Sequence, residues 1–241
     1  MKKLAIGLTI ALVAGMASAA ILGSDDFSYT GALTANGWVA YSGTDGSVTA
    51  NGSVAAVGSG AEDIRMTAFG DQGSGTVYAS FTLNLLSAAT GSAYTFGFID
   101  GATMESRWGF TATASDYSMA SYGTGTAVIG NSSAMSFSTD YLITMSYNAT
   151  TFTHSLWINS DGTDEATPDM TLSAGTNTGI DSFFIRQATP FGAGSASYTV
   201  DSLVVGSTFA DVTPAAVPEP ATMGLLGLGA LAMVLRRKMS K

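Results

Sequence analysis

Apolar and polar residues alternate along much of the chain with a period of two. Tyr141, Ile143, Met145 and Tyr147 interleave with Thr144 and Ser146, which puts the apolar set on one face of an extended strand. Asn148-Ala149-Thr150-Thr151 then supplies turn chemistry, Phe152 to Asn159 runs back, and Ser160-Asp161-Gly162 closes the second arm. Similar runs rich in Val, Ile, Thr, Tyr and Phe predict strands at Gly75–Leu86, Ala93–Asp100, Arg107–Thr113, Ala127–Ile129, Asp181–Gln187 and Ser197–Val205. Weaker patterns mark Trp38–Ser42, Ser47–Asn51, Ser53–Val57 and Asp63–Phe69. No amphipathic helix of useful length and no repeat of 20 to 50 residues interrupts them. The pattern predicts an all-β chain, an antiparallel β-sandwich of the jelly-roll kind, forming one domain over residues 20–213.

Both ends depart from that period. Lys2 and Lys3 precede an apolar stretch from Leu4 to Val13, and Ala17-Ser18-Ala19 offers small residues for cleavage before Ala20. Residues 1–19 therefore read as a secretory signal peptide, with signal peptidase and the secretion machinery as partners. At the other end (residues 214–241), Val217-Pro218-Glu219-Pro220 leads into an apolar run, 221–235, and then Arg236, Arg237 and Lys238 in a basic tail, 236–241. Fifteen helical residues at ~1.5 Å each reach about 22 Å, short of a ~30 Å hydrocarbon core. The basic cluster stays cytoplasmic by the positive-inside rule and acts as a stop-transfer signal.

This three-part tail resembles the PEP-CTERM sorting signal of exported proteins in Gram-negative, exopolysaccharide-making bacteria. The resemblance implies recognition by a membrane-embedded exosortase at or near Val217–Pro220. It further implies a transient inner-membrane intermediate and delivery to the cell surface or extracellular matrix.

Composition narrows what the body can do. Of 241 residues 46% are hydrophobic and 11% charged, which argues against disorder. The chain has no cysteine and one histidine, His154. That removes disulfides, thiolate metal clusters, cysteine nucleophiles and any site needing two imidazoles. Between residues 20 and 217 there is no lysine, and three arginines (Arg65, Arg107 and Arg186) face seventeen acidic residues. Nucleic acid is excluded as a partner, because a phosphate-binding surface needs clustered cations.

The order of segments carries a second resemblance. Asp25-Asp26-Phe27 is followed by Gly37-Trp38, the Ser146 to Asn159 hairpin and a late strand from Tyr198 to Gly206. This is similar to the concanavalin A-like and laminin-G-like jelly rolls of bacterial surface proteins. Enzymes on that scaffold carry paired carboxylates along one strand. Glu62, Glu105 and Glu165 have no carboxylate partner at i+2 or i+4 within a strand-like run, and Glu62-Asp63 and Asp164-Glu165 are adjacent pairs. A serine hydrolase would have to use His154, with no Gly-x-Ser-x-Gly elbow.

Non-catalytic chemistry is better supplied. Asp25, Asp26 and Asp201 would approach one another if the terminal strands pair, making calcium the one cofactor the pattern admits. Capping of turns is the competing role for these carboxylates. Trp38, Trp108, Trp157, Tyr117 and Tyr122 are candidates for stacking on sugar rings, the last two in a stretch, Ser115 to Tyr122, that reads as a loop. The expectation is an exported, exosortase-processed, non-catalytic surface or matrix protein associated with exopolysaccharide or biofilm, able to bind glycans. A glycoside hydrolase on the same fold and a purely adhesive surface protein are the alternatives.

Overall fold

The computed structural model describes residues 20–213, apart from 44–45, 59, 124–126, 174–178 and 188–195. Ala17 and Ala19 of the leader, the sorting residues Val217, Pro218, Glu219 and Pro220, and the basic Arg236, Arg237 and Lys238 lie outside the described residues. Ala20 is exposed, and its carbonyl accepts the Ser207 amide at 3.2 Å. Among the described residues no helix is long and apolar enough to cross a membrane.

The described chain runs through β1 (Ile21–Asp25), β2 (Thr30–Ala32), β3 (Trp38–Ser42), β4 (Thr49–Asn51), β5 (Ala55–Val57), β6 (Asp63–Met66), β7 (Thr76–Ser87) and β8 (Gly91–Asp100). It continues through β9 (Thr103–Ala112), β10 (Tyr117–Gly123), β11 (Gly130–Asn131), β12 (Asp140–Asn148), β13 (Thr153–Ile158), β14 (Met170–Ser173), β15 (Ser182–Arg186) and β16 (Ser197–Gly206), ending in a four-residue helix, α1 (Phe209–Val212). Two antiparallel sheets result. The nine-stranded sheet has the order β14-β13-β12-β7-β16-β5-β4-β2, with β1 also pairing β16; the seven-stranded sheet has the order β11-β10-β9-β8-β15-β6-β3. This is the β-sandwich the alternation predicts.

Strand alternation builds the core between the sheets. In β7, Val77, Ala79, Phe81, Leu83 and Leu85 are buried in it, whereas Thr76, Tyr78, Thr82 and Asn84 take the other face. Phe81 of the nine-stranded sheet meets Phe96 and Phe183 of the seven-stranded sheet at 5.0 and 5.8 Å, edge to face. Phe110 joins Phe96 at 5.7 Å and Tyr198 at 5.5 Å, so aromatic contacts cross the whole sandwich.

The chain changes sheets between β3 and β4 and again between β5 and β6, and one carboxylate ties the two corners together. Glu62 is fully buried and accepts the amides of Gly46, Ser47 and Val48 at 2.8, 2.8 and 2.6 Å. Gly43 sits at φ +81°, where a Cβ would meet the Ala61 carbonyl oxygen at 1.7 Å. Only glycine lets the corners approach this closely. The adjacent Asp63 points away and pairs with Arg186 at 3.1 Å.

Some elements differ from the sequence expectation. Ser115 to Tyr122 is not a loop: β10 occupies most of it, with Tyr117 and Met119 in the core and the ladder supplied by β9. Its interleaved Ser, Ala and Gly resemble turn composition, and tertiary pairing overrides that weak local preference. The expected strand at Ala127–Ile129 is displaced to the two-residue β11, and β9 begins at Thr103, ahead of Arg107.

Candidate functional site

On the outward face of the nine-stranded sheet, β7, β12 and β13 place polar side chains in registered rows. Tyr78, Ser146 and Ser155 form one row, and Thr76, Asn148 and Thr153 the next. Pleating alone explains the grouping: the alternate positions Val77, Met145, Tyr147 and Leu156 are committed to the core. With Trp157, Glu165, Thr151 and Pro168, these rows line a shallow cleft of about 260 Å³.

Aromatic packing sets one wall of the cleft. Trp157 lies 6.3 Å from Tyr78 and 4.9 Å from Phe209 of α1, and its indole N–H donates to the Asp164 carbonyl at 3.0 Å. Ser160 donates to the Asp164 carboxylate and Thr163 to that of Asp161, which fixes the turn carrying Glu165. The Tyr78 hydroxyl donates to Glu165 at 3.0 Å. Burial, followed by the Glu165 carboxylate, pushes this phenol up to about 12. Asn148 donates to Thr76 at 2.9 Å and accepts the amides of Thr150 and Thr151 at 2.9 and 2.8 Å.

The cleft therefore presents fixed hydroxyls and an amide beside a half-buried tyrosine ring. That set matches the hydroxyls and the apolar ring face of a neutral sugar. Among the described residues lining it, Glu165 is the one carboxylate, whereas acid-assisted glycoside hydrolysis needs two across the scissile bond.

The structure places four of the aromatics read from sequence elsewhere. Trp38, Trp108, Tyr117 and Tyr122 are all buried. Trp38 donates to Asp25 at 2.7 Å, Trp108 packs 6.2 Å from His154, Tyr117 meets Phe110 at 5.7 Å, and the Tyr122 hydroxyl donates to the Phe110 carbonyl at 2.9 Å. Such rings cannot stack on a sugar, so these assignments are corrected to packing roles. Trp157 is at the cleft but is just as buried, so it supports the wall behind Tyr78 and the open ring there is that of Tyr78.

The carboxylates proposed for calcium are brought near one another only in part. β1 does pair with β16, opposing Asp25 to Leu203. Asp25 and Asp26 line a shallow recess with Ser24, Ser202, Leu203 and Val204, and Asp201 is not among its lining residues. Asp25 is spent on three donors: the Phe27 amide at 2.8 Å, the Tyr29 hydroxyl at 2.8 Å and the Trp38 indole at 2.7 Å. These bonds hold buried Phe27 at φ +51°, stacked 6.2 Å from Trp38. The Asp25-Asp26-Phe27 and Gly37-Trp38 segments thus form a latch. Asp26 accepts the Ser28 amide, and Asp201 accepts the Ser202 hydroxyl. Among the described residues no group of three His, Asp or Glu side chains is placed to hold a metal ion.

His154 is also a core residue. Its Nδ1 meets the Ser106 hydroxyl at 2.9 Å with both residues fully buried, and burial lowers the imidazole from 6.5 to about 4. No substrate reaches this pair. The cleft aromatic that the sequence reading missed, Tyr78, carries a readable signal, since like Trp157 it is an aromatic in the polar phase of its strand.

The PEP-CTERM protein-sorting motif matches residues 216–238. No curated protein matches the chain in sequence. Among solved structures, the chain is similar to a sialidase, at 14% identity and TM-score 0.53 over 77% of this chain. It spans only 18% of that sialidase. It is also similar to the CBM2 module of the evolved Dit of Lactobacillus casei BL23 phage J-1, at 8% identity and TM-score 0.54, covering 78% of this chain and 96% of that one. The conserved carbohydrate esterase of the Shiga toxin-encoding bacteriophage phi24B aligns at 12% identity and TM-score 0.50, covering 79% and 99%. At these identities the likeness is one of fold: a β-sandwich shared with carbohydrate-binding and carbohydrate-active proteins. The sorting motif implies processing by an exosortase and association with the cell surface.

Proposed function

We propose that the protein is exported, trimmed at both ends and displayed in the extracellular matrix, where its sandwich holds polysaccharide without cleaving it. In this reading residues 1–19 leave as a signal peptide and 20–213 form the binding domain. Residues 214–241 serve as the sorting tail, held transiently in the inner membrane of a Gram-negative cell until the exosortase acts. Exopolysaccharide is the partner, and no metal cofactor takes part.

One observation carries the reading: the registered hydroxyl and amide rows beside Tyr78 and Trp157, accompanied by a single carboxylate. Hydrogen-bonding groups at strand spacing suit a sugar, and the missing second carboxylate argues against hydrolysis. The fold shared with the phage CBM2 module adds support.

The test is calorimetric titration of the full chain, purified in detergent, with neutral oligosaccharides, with and without calcium. Saturable binding that Trp157→Ala weakens at least tenfold, without release of reducing sugar, is expected. Reducing-sugar release would move the protein to the glycosidase reading. Absence of any binding would leave an adhesive surface protein.

A further inference from the structure

The outward face of the opposite sheet is chemically different. Strand alternation commits Ile64, Met66, Phe96, Trp108, Phe110, Phe183 and Ile185 to the core, so their neighbours Asp63, Arg65, Arg107, Phe184 and Arg186 face the other way. All three arginines of the chain between its charged ends are thus on one sheet face. Register puts Arg107, Gly97, Phe184 and Arg65 in one row across four strands, with Tyr94, Arg186 and Asp63 in the rows beside it.

Tyr94 is the centre of this face. The Arg186 guanidinium lies 4.2 Å from its ring centroid and that of Arg107 5.2 Å. Asp63 engages Arg186 through Nε alone. The η nitrogens of Arg186 have no acceptor among the described residues, and its side chain is 23% exposed. Arg65, by contrast, is spent on Asp181 at 3.7 Å and the Gly101 carbonyl. Among the described residues the buried Tyr41 hydroxyl has no hydrogen-bond partner, and it lies in the field of Asp63, Arg186, Tyr94 and Arg107. An unmet buried hydroxyl is costly, and a ligand oxygen would relieve it.

We propose that Tyr94, Arg107, Arg186 and Tyr41 form a second saccharide site, selective for carboxylate-bearing sugar units such as uronates. The guanidinium end of Arg186 matches a planar carboxylate through two parallel N–H donors. Arg107 supplies the second positive charge, and the exposed part of the Tyr94 ring meets the sugar ring. Charges beyond ~8 Å are screened at physiological ionic strength, so the field a uronate meets is that of Arg186 and Arg107, reduced by Asp63. Hydrolysis is not part of this site. Asp63 on β6 and Glu105 on β9 are three strand spacings apart, about 14 Å, beyond the reach of a catalytic carboxylate pair.

The site is independent of the neutral-sugar cleft, and one experiment separates them. The full chain in detergent is titrated with polygalacturonate, a neutral glucan and a sulfated glucan at low and high salt. Arg186→Gln, Arg107→Gln and Tyr94→Leu test this face, Trp157→Ala tests the cleft, and thermal unfolding confirms that each variant folds. Polygalacturonate binding that falls at least tenfold in Tyr94→Leu and in either arginine variant, and weakens with salt, is expected, with neutral-glucan binding unchanged. Polygalacturonate binding that is absent in the wild type, or insensitive to all three variants, overturns the proposal. Equal or tighter binding of the sulfated glucan overturns its carboxylate selectivity. Loss of neutral-glucan binding in Trp157→Ala alone bears on the cleft and leaves this site standing.

Discussion

The two outward faces of the sandwich share one core and differ in almost everything else. The face of β7, β12 and β13 is made of uncharged hydroxyls and an amide bonded to one another across the strands and to turn amides, as Asn148 is to Thr76, Thr150 and Thr151. The face of β6, β15, β8 and β9 gathers the three arginines and joins residues far apart in the chain, as Arg186 and Asp63 are. The inner phase of each strand is constrained by packing, which demands apolar volume. The outer phase is free of that demand, and there the two sheets have taken different chemistry.

The largest predicted effect is one that breaks both faces together. Phe96→Ala removes a ring that packs against Phe110 in its own sheet and against Phe81 and Tyr198 in the other, and a loss of about 3–5 kcal/mol in denaturant unfolding is expected. If only one face lost its ligand binding, the shared-core account would be wrong.

Next is the pH dependence of the shared core. Above pH 6.5 the His154 imidazole is neutral in both folded and unfolded chains. Between 6.5 and about 4 only the unfolded chain takes up the proton, so stability falls with acidification by about 3 kcal/mol in all. Urea titrations at pH 7 and pH 4.5 should show most of this fall in the wild type and lose it in His154→Gln.

Glu62→Gln weakens the corner joining the sheets while leaving both faces chemically intact. A cost of about 2 kcal/mol is expected, from exchanging charge-assisted bonds to three amides for neutral ones. The smallest effect sharpens the comparison. Tyr78→Phe deletes a bond to exposed Glu165 and should cost less than about 1 kcal/mol in thermal unfolding. Neutral-sugar affinity should fall while uronate binding is unchanged.

The hairpin of β12 and β13 was legible because Ile143, Met145 and Tyr147 keep strict alternation and Asn148 caps its own turn. β10 was not, because its Ser and Ala residues carry little local preference and its order comes from β9. Trp38, Trp108, Tyr117 and Tyr122 were misplaced for a related reason. An aromatic side chain signals burial or exposure only through its phase relative to neighbours, and Trp38 and Trp108 share the apolar phase of Met66 and Phe110. The arginine face was hidden altogether, since residues 65, 107 and 186 meet only through sheet pairing.

The most direct test of the account is an NMR titration of the full chain in detergent with a neutral oligosaccharide and, separately, a uronate oligosaccharide. The account predicts shifts at Tyr78, Ser146, Ser155 and Trp157 for the first ligand and at Tyr41, Tyr94, Arg107 and Arg186 for the second. Shifts on one shared face for both ligands, or on neither face, would contradict it.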